Sequence, residues 1–195
     1  MTRWAVVAVT LAACRHGGAP VAGPCPTAPV VVAAQAQVDA LAGCASLAAL
    51  HVRSAAPLDL TPLGGLVEVT GDLTIGPTLA ITSVGLPALR RVGGTFRLDS
   101  GGLVSGVFAP QLTAVGGLTM RDAPALTTVS VPALTTVAGD VRLERVPALE
   151  HVDALALTTV VGDLVVIAPA LSSWLGLAPQ VGGVTTVQAP VGPGA

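Results

Sequence analysis

The sequence contains no lysine, no tyrosine and no asparagine, and aromatic residues make up 2% of its 195 positions. Charged side chains account for 10%, and all 9 cations are arginines, set against 11 acidic residues. Phosphate binding needs clustered cations, so a net charge of −2 without lysine argues against a nucleic-acid partner. So few large rings speak against a globule closed by aromatic side chains. With so little charge, solubility rests on Thr, Ser, Gly and exposed backbone. Catalytic phrases are also missing: there is no Gly-x-Ser-x-Gly, no His-Glu-x-x-His, no Cys-x-x-Cys and no phosphate loop.

What the chain does contain is repetition. A Val followed two residues later by Gly recurs at Val69/Gly71, Val92/Gly94, Val115/Gly117, Val137/Gly139, Val160/Gly162 and Val181/Gly183, with valine spacings of 23, 23, 22, 23 and 21. After each Gly comes a short apolar alternation: Leu73-Thr74-Ile75, Phe96-Arg97-Leu98, Leu118-Thr119-Met120, Val141-Arg142-Leu143 and Leu164-Val165-Val166. Alternate side chains of a strand point to opposite faces, so the outer members of each triplet turn inward and the middle one outward. The remainder of each repeat carries proline-leucine phrases such as Pro124-Ala125-Leu126, Pro132-Ala133-Leu134, Pro147-Ala148-Leu149 and Pro169-Ala170-Leu171. Proline removes a donor and biases its predecessor toward extended geometry, so helices are not expected between the strands.

A unit of this size has too few apolar positions to bury a core alone, whereas stacked equivalents place Leu over Leu and Val over Val. The expected fold is mainly β, a solenoid of parallel strands about 4.8 Å apart, with six or seven coils. The content of 52% hydrophobic residues in 195 suffices for one such domain.

The phrases Leu66-x-x-Val69-x-Gly71-Asp72-Leu73-x-Ile75, Leu89-x-x-Val92-x-Gly94-x-Phe96-x-Leu98 and Leu134-x-x-Val137-x-Gly139-Asp140-Val141-x-Leu143 resemble the receptor L-domain family. That likeness spans roughly residues 44–187 and implies a right-handed parallel β-helix, the fold of ligand-binding receptor ectodomains and many bacterial surface proteins. It implies a scaffold rather than a ligand. Leucine-rich repeats are the nearest rival, but they place an Asn in the turn after the strand.

At the start of the chain, residues 1–13 carry one cation, Arg3, followed by an apolar run of about ten residues, half of what a bilayer span needs. They suit a secretory signal. The run closes in Leu11-Ala12-Ala13-Cys14, which resembles the bacterial lipobox and implies cleavage before Cys14 and its lipidation. Arg15 in place of Asp favours the outer membrane or cell surface in a diderm. Residues 14–24, with His16, read as a flexible tether holding the domain off the lipid.

Residues 25–45 are expected to form a helical cap, with Thr27 as N-cap, Pro29 in the first turn and Gly43 as stop. Once Cys14 is lipidated, Cys25 and Cys44 remain as an even pair in an exported chain, pointing to a disulfide over two reduced thiols. Residues 46–187 form the solenoid, opening with Leu50-His51-Val52, and residues 188–195 a disordered tail. No second cap is visible, so the tail or the Trp174 loop has the far end to cover.

The outward strand positions make a ladder of His51, Thr74, Arg97, Thr119, Arg142, Val165 and Thr185. Asp72, Asp140 and Asp163 precede the strands; Asp99, Arg121 and Glu144 follow them. This mixed face is the candidate surface for a protein or glycan partner, against the plainer reading that Arg and Asp pair across coils at 0 to about 1 kcal/mol each. Asp72, Asp140 and Asp163 share one position after the repeat Gly. Thr95 interrupts that column and the third repeat lacks the residue, so turn formation is preferred to Ca²⁺ binding. Glu150-His151-Val152-Asp153 holds three possible ligands on a connecting segment, and no metal or cofactor is assigned to it. The expected function is a non-enzymatic, monomeric, lipid-anchored envelope protein serving as a binding or structural scaffold. The alternative is a β-helical carbohydrate lyase or hydrolase, which resembles this architecture but uses clustered acids and aromatic sugar platforms.

Overall fold

A computed structural model describes residues 25–194. The signal segment, Cys14 and the tether lie outside the described residues. The chain winds into a parallel β-solenoid of about 7 turns. All strand pairs are parallel and fall into one sheet of 13 strands and one of 5. Among the described residues, no helix is long and apolar enough to cross a membrane.

The central coils each contribute to three faces. Short segments ending in the repeat valine, or in Leu47 in the first of them, stack as the first face: Ser46–Leu47, Glu68–Val69, Thr136–Val137, Thr159–Val160 and Gln180–Val181, joined by the starts of Arg91–Asp99 and Ala114–Arg121. The second face holds Val30–Val32, Leu50–Ser54, Leu73–Thr78, the ends of those two long strands, Val141–Glu144, Leu164–Ile167 and Thr185–Gln188. The long strands run unbroken through the Val-x-Gly corner and merge both faces into the larger sheet. The smaller sheet is the third face, built from Ser83–Gly85, Gly106–Phe108, Thr128–Ser130, His151–Asp153 and Ser173–Leu175.

The proline-leucine phrases form the other two corners. In Leu86-Pro87-Ala88-Leu89, Leu89 N–H donates to Leu86 O at 3.2 Å, and Leu112, Leu126, Leu134, Leu149, Leu157 and Leu171 close equivalent turns. Proline sits where the first central residue of a turn needs φ near −65°, and the leucine three places after the acceptor enters the core. The residue after each such turn is often Thr or Ser, whose hydroxyl donates to a backbone carbonyl of the preceding coil: Thr113 to Arg90, Thr135 to Thr113 and Thr158 to Thr135 on one corner, Ser105 to Thr82 and Thr127 to Ser105 on the other.

Inside, like stacks on like. Leu73, Phe96, Leu118, Val141 and Leu164 form one buried column, Val69 through Val160 another, and Val84, Val107, Val129, Val152 and Trp174 a third, all in a single core cluster. Burial of aliphatic side chains in these repeated layers is the dominant stabilising term, each contributing roughly 1.5–3 kcal/mol.

Both ends depart from the sequence expectation. Thr27 caps no helix: Val30–Val32 is a strand paired in register with Leu50–Val52, so the sheet begins one coil before Leu50. Three β-branched residues beside an open sheet edge favour pairing over helix. The helix is confined to Gln35–Asp39, with N-cap Ala34 and Val38 buried beneath it. At the far end, Gln188 belongs to the last strand, opposite Ile167, and the expected fraying tail instead packs Ala189 and Val191 against the core. Gly194 N–H reaches Gly176 O at 3.3 Å. Trp174 lies within the third face with its ring buried, not in a covering loop.

Candidate binding face

Strand pairing brings the predicted outward residues into one file. His51 is opposite Thr74, Thr74 opposite Arg97, Arg97 opposite Thr119, Thr119 opposite Arg142, and Arg142 opposite Val165. The next partner of Val165 is Thr186, not Thr185, which pairs with Leu164. Thr186 stands five residues after Val181, as Val165 stands five after Val160, so the ladder continues at Thr186 and Thr185 takes the register position of Leu164. Asp99, Arg121 and Glu144 form a second file two residues on.

The members of the ladder differ in their surroundings. His51 is half-buried with Nε2 2.9 Å from Gly76 O. Thr74 is half-buried, Arg97 is exposed, and Thr119 lies at 8% exposure in the floor of the face. Arg142 is bound on both sides, its Nη2 3.0 Å from Asp140 Oδ2 and 3.2 Å from Asp163 Oδ2. Glu144 collects cations without a close bond, at 3.7 Å from Arg121, 3.8 Å from Arg142 and 3.9 Å from Arg145.

The aspartates act at the corner beside the face. Asp72 Oδ1 accepts the N–H of Thr95 at 2.7 Å, Asp140 Oδ1 that of Asp163 at 2.9 Å, and Asp163 Oδ1 that of Val184 at 2.9 Å. Each carboxylate satisfies a backbone donor one coil further on. The Asp163 N–H first, and the Arg142 guanidinium second, hold the Asp140 carboxyl below its ordinary range, while the hydrogen bond that Arg142 donates to Asp140 pushes Arg142 up. Among the described residues, no three His, Cys, Asp or Glu side chains are grouped to hold a metal ion. Glu150-His151-Val152-Asp153 is not a connecting segment. His151–Asp153 is a strand of the third face, with Val152 inward and Asp153 Oδ2 accepting from Ser130 Oγ. Cys25 and Cys44 are joined by a disulfide at a sequence separation of 19.

Thr95 and Val184 replace the aspartate in two corners, and a third corner is one residue shorter than the rest. Between Val115 and Leu118 stand only Gly116 and Gly117, and the register shifts as Thr95 pairs with Gly117. The vacated space opens onto the face as a depression of about 370 Å³, into which Arg97, Thr119, Arg142 and Asp140 from the predicted set converge together with Arg121. His51, Thr74, Asp72 and Asp163 are not part of its lining. Arg121 was legible only as a residue flanking the ladder; the signal pointing to it is the spacing of 22 in the third repeat.

After each strand of this region the chain passes through a left-handed residue: Ser100, Asp122 and Arg145, with φ of 54°, 52° and 53°, occupy successive coils. Asp122 and Arg145 lock together, Nη2 to Oδ2 at 2.8 Å, and that bond holds the Asp122 carboxyl below its ordinary range. No sequence pattern announces this column, because none of the three is glycine.

A larger cavity, about 1010 Å³, lies on the N-terminal part of the third face, where the Gln35–Asp39 helix and the Thr61–Gly65 turn replace strands. Four of its polar residues bond one another: Gln35 Nε2 donates to Asp39 Oδ1 and Asp59 O, Asp59 N–H donates to Gln35 Oε1, and Asp59 Oδ1 accepts from Thr61. Comparisons of the chain with models of known families, with curated proteins and with solved structures find no match.

Proposed function

We propose that this chain is a non-enzymatic, lipid-anchored envelope protein whose solenoid presents the outer face of its larger sheet as a binding surface. The observation that carries the reading is the registered file from His51 to Thr186, a rigid, mostly polar surface beside a depression lined by three arginines. Repeat architectures use such extended faces to engage partners. The partner is a protein or glycan, and the chain acts as a monomer.

The finer architecture in this proposal is the right-handed β-helix of the receptor L-domain type. Its support is the recurring Leu-x-x-Val-x-Gly phrase and the strong right-handed bias of crossovers between parallel strands. The anchor reading rests on Leu11-Ala12-Ala13-Cys14, and the pairing of Cys25 with Cys44 fits an oxidising compartment outside the cytoplasm. Arg15, standing after Cys14 in place of Asp, favours the outer membrane or cell surface in a diderm.

Expression in a diderm bacterium beside a Cys14→Ala variant tests the anchor. The expected result is a wild-type protein that loses residues 1–13, gains lipid mass and sediments with membranes, while the variant does none of these. Two full-length soluble proteins would overturn it.

The carbohydrate-enzyme reading has one observation in its favour, the cavity bearing Asp39 and Asp59. It ranks second because both carboxylates are engaged as structural acceptors and no aromatic ring lines the cavity. Turnover of a polysaccharide that disappears in Asp39→Asn and Asp59→Asn variants would reverse the ranking.

A further inference from the structure

We propose that the depression at Gly116–Gly117 is an oxyanion site, taking a carboxylate, phosphate or sulfate group carried by the ligand of this face; the inference rests on the reading of the face as a binding surface. At the other corners with an aspartate, the carboxylate of one coil meets the N–H of the next: Asp72 that of Thr95, Asp140 that of Asp163, Asp163 that of Val184. In the coil before Asp140 that position falls to Gly117, which pairs with Thr95 and has no side chain, so the Asp140 N–H has no such carboxylate to donate to. The depression occupies the space where that carboxylate would lie, and a ligand oxyanion there would replace it.

The side chains around it have the matching charge. Three guanidiniums, from Arg97, Arg121 and Arg142, line the depression against a single carboxylate, Asp140. That carboxylate is committed, Oδ1 to the Asp163 N–H and Oδ2 to Arg142. Arg121 Nε is buried without a hydrogen-bond acceptor, Glu144 standing off at 3.7 Å. Arg97 makes no ion pair among the described residues. Guanidinium groups bind carboxylate and phosphate through paired charge-assisted hydrogen bonds, and a donor left unpaired in a partly enclosed site is satisfied by such a group. The Thr119 hydroxyl in the floor adds a neutral donor.

The test is a titration of the oxidised, soluble domain followed by amide and arginine Nε NMR signals. Inorganic phosphate, sulfate and glucuronate are added separately at constant ionic strength, with chloride as reference. The expected result is a saturable shift confined to the Gly116, Gly117 and Asp140 amides and the Nε–H groups of Arg97, Arg121 and Arg142. The preferred anion then separates a phosphorylated from a carboxylated or sulfated source. Arg97→Gln combined with Arg121→Gln should weaken binding at least about tenfold. Inserting Asp between Gly117 and Leu118 restores the residue found in other coils and should abolish binding with the circular dichroism spectrum unchanged. Linear shifts spread over Arg53, Arg90 and Arg91 as well, or saturable binding that survives both changes, would overturn the site. Protection of the face by envelope material without oxyanion binding overturns this inference alone, whereas oxyanion binding without such protection removes the broader reading and leaves the site.

Discussion

Asp140 Oδ1 accepts the backbone N–H of Asp163 at 2.9 Å, and the same oxygen fills the space that a Cβ on Gly162 would occupy. The Val-x-Gly corner and the aspartate of the preceding coil are therefore one device: glycine lets the coils approach, and the carboxylate closes the hydrogen bonding between them. The pairing repeats with Asp72 beneath Gly94 and Asp163 beneath Gly183.

Gly162→Ala places its methyl against Asp140 Oδ1 and the Gly139 backbone, and should destabilise the domain by about 1–3 kcal/mol. At Gly117 the corresponding methyl meets Thr95 Oγ1 at 3.4 Å and Asp140 O at 3.5 Å, ordinary contact distances, so Gly117→Ala should stay within about 0.5 kcal/mol of wild type. Urea midpoints of the two variants decide the matter; equal losses would mean that the corner tolerates or rejects a side chain irrespective of the aspartate.

Acid sensitivity follows from the same carboxylates. Asp140, Asp122 and Asp59 lie below the ordinary value of 3.8, held there respectively by the Asp163 N–H, by Arg145 and by the Thr61 hydroxyl. A depressed folded pKa means that the unfolded chain binds more protons in the interval between the two values. The stabilising contribution is thus complete above about pH 5 and is lost as pH falls below 3.8 through the folded pKa values. The stability difference between wild type and an Asp59→Asn/Asp122→Asn/Asp140→Asn variant should be constant from neutral pH to about pH 5 and shrink below about pH 4. A difference that widens on acidification would contradict the assignment.

Removal of the disulfide by Cys25→Ser and Cys44→Ser should cost about 3 kcal/mol, the entropic estimate for a loop of this size. The added mobility should appear first in the Val30–Val32 strand, which among the described residues pairs only with Leu50–Val52. Faster amide exchange there, with little change at Val141–Leu143, is the expected pattern; unaltered exchange would show that strand pairing alone secures the first coil.

Much of this fold was legible because one physical event recurs. A valine, a glycine and an alternating triplet at a period near 23 imply a stacked strand, and the inward placement of Phe96 and the facing of Arg97 by Thr119 followed from that period alone. The missing residue of the third repeat was also visible, though its consequence, the opening beside Arg121, depends on the corner geometry of three coils at once. Where the period stops, local signals misled. Thr27 and Pro29 carry helix-start chemistry, but an open sheet edge offers Val30–Val32 a full set of backbone partners that a short helix lacks. In the last repeat Val184 stands at the aspartate position and Thr185 opposite Leu164, so the apolar alternation that marks the other strands is absent and the outward residue is Thr186, not Thr185. The left-handed column of Ser100, Asp122 and Arg145 has no compositional mark, and the Thr and Ser hydroxyl files were concealed in residues read only as solubilising surface.

The most direct test of the central claim is a hydroxyl-radical footprint of the domain with and without purified envelope material. The outer face of the larger sheet, from His51 to Arg142, is compared with the third face at Phe108 and His151 as internal control. The account predicts protection around Arg97, Arg121 and Arg142 with Phe108 and His151 unchanged. Uniform accessibility on both faces, or protection of the third face alone, would contradict it.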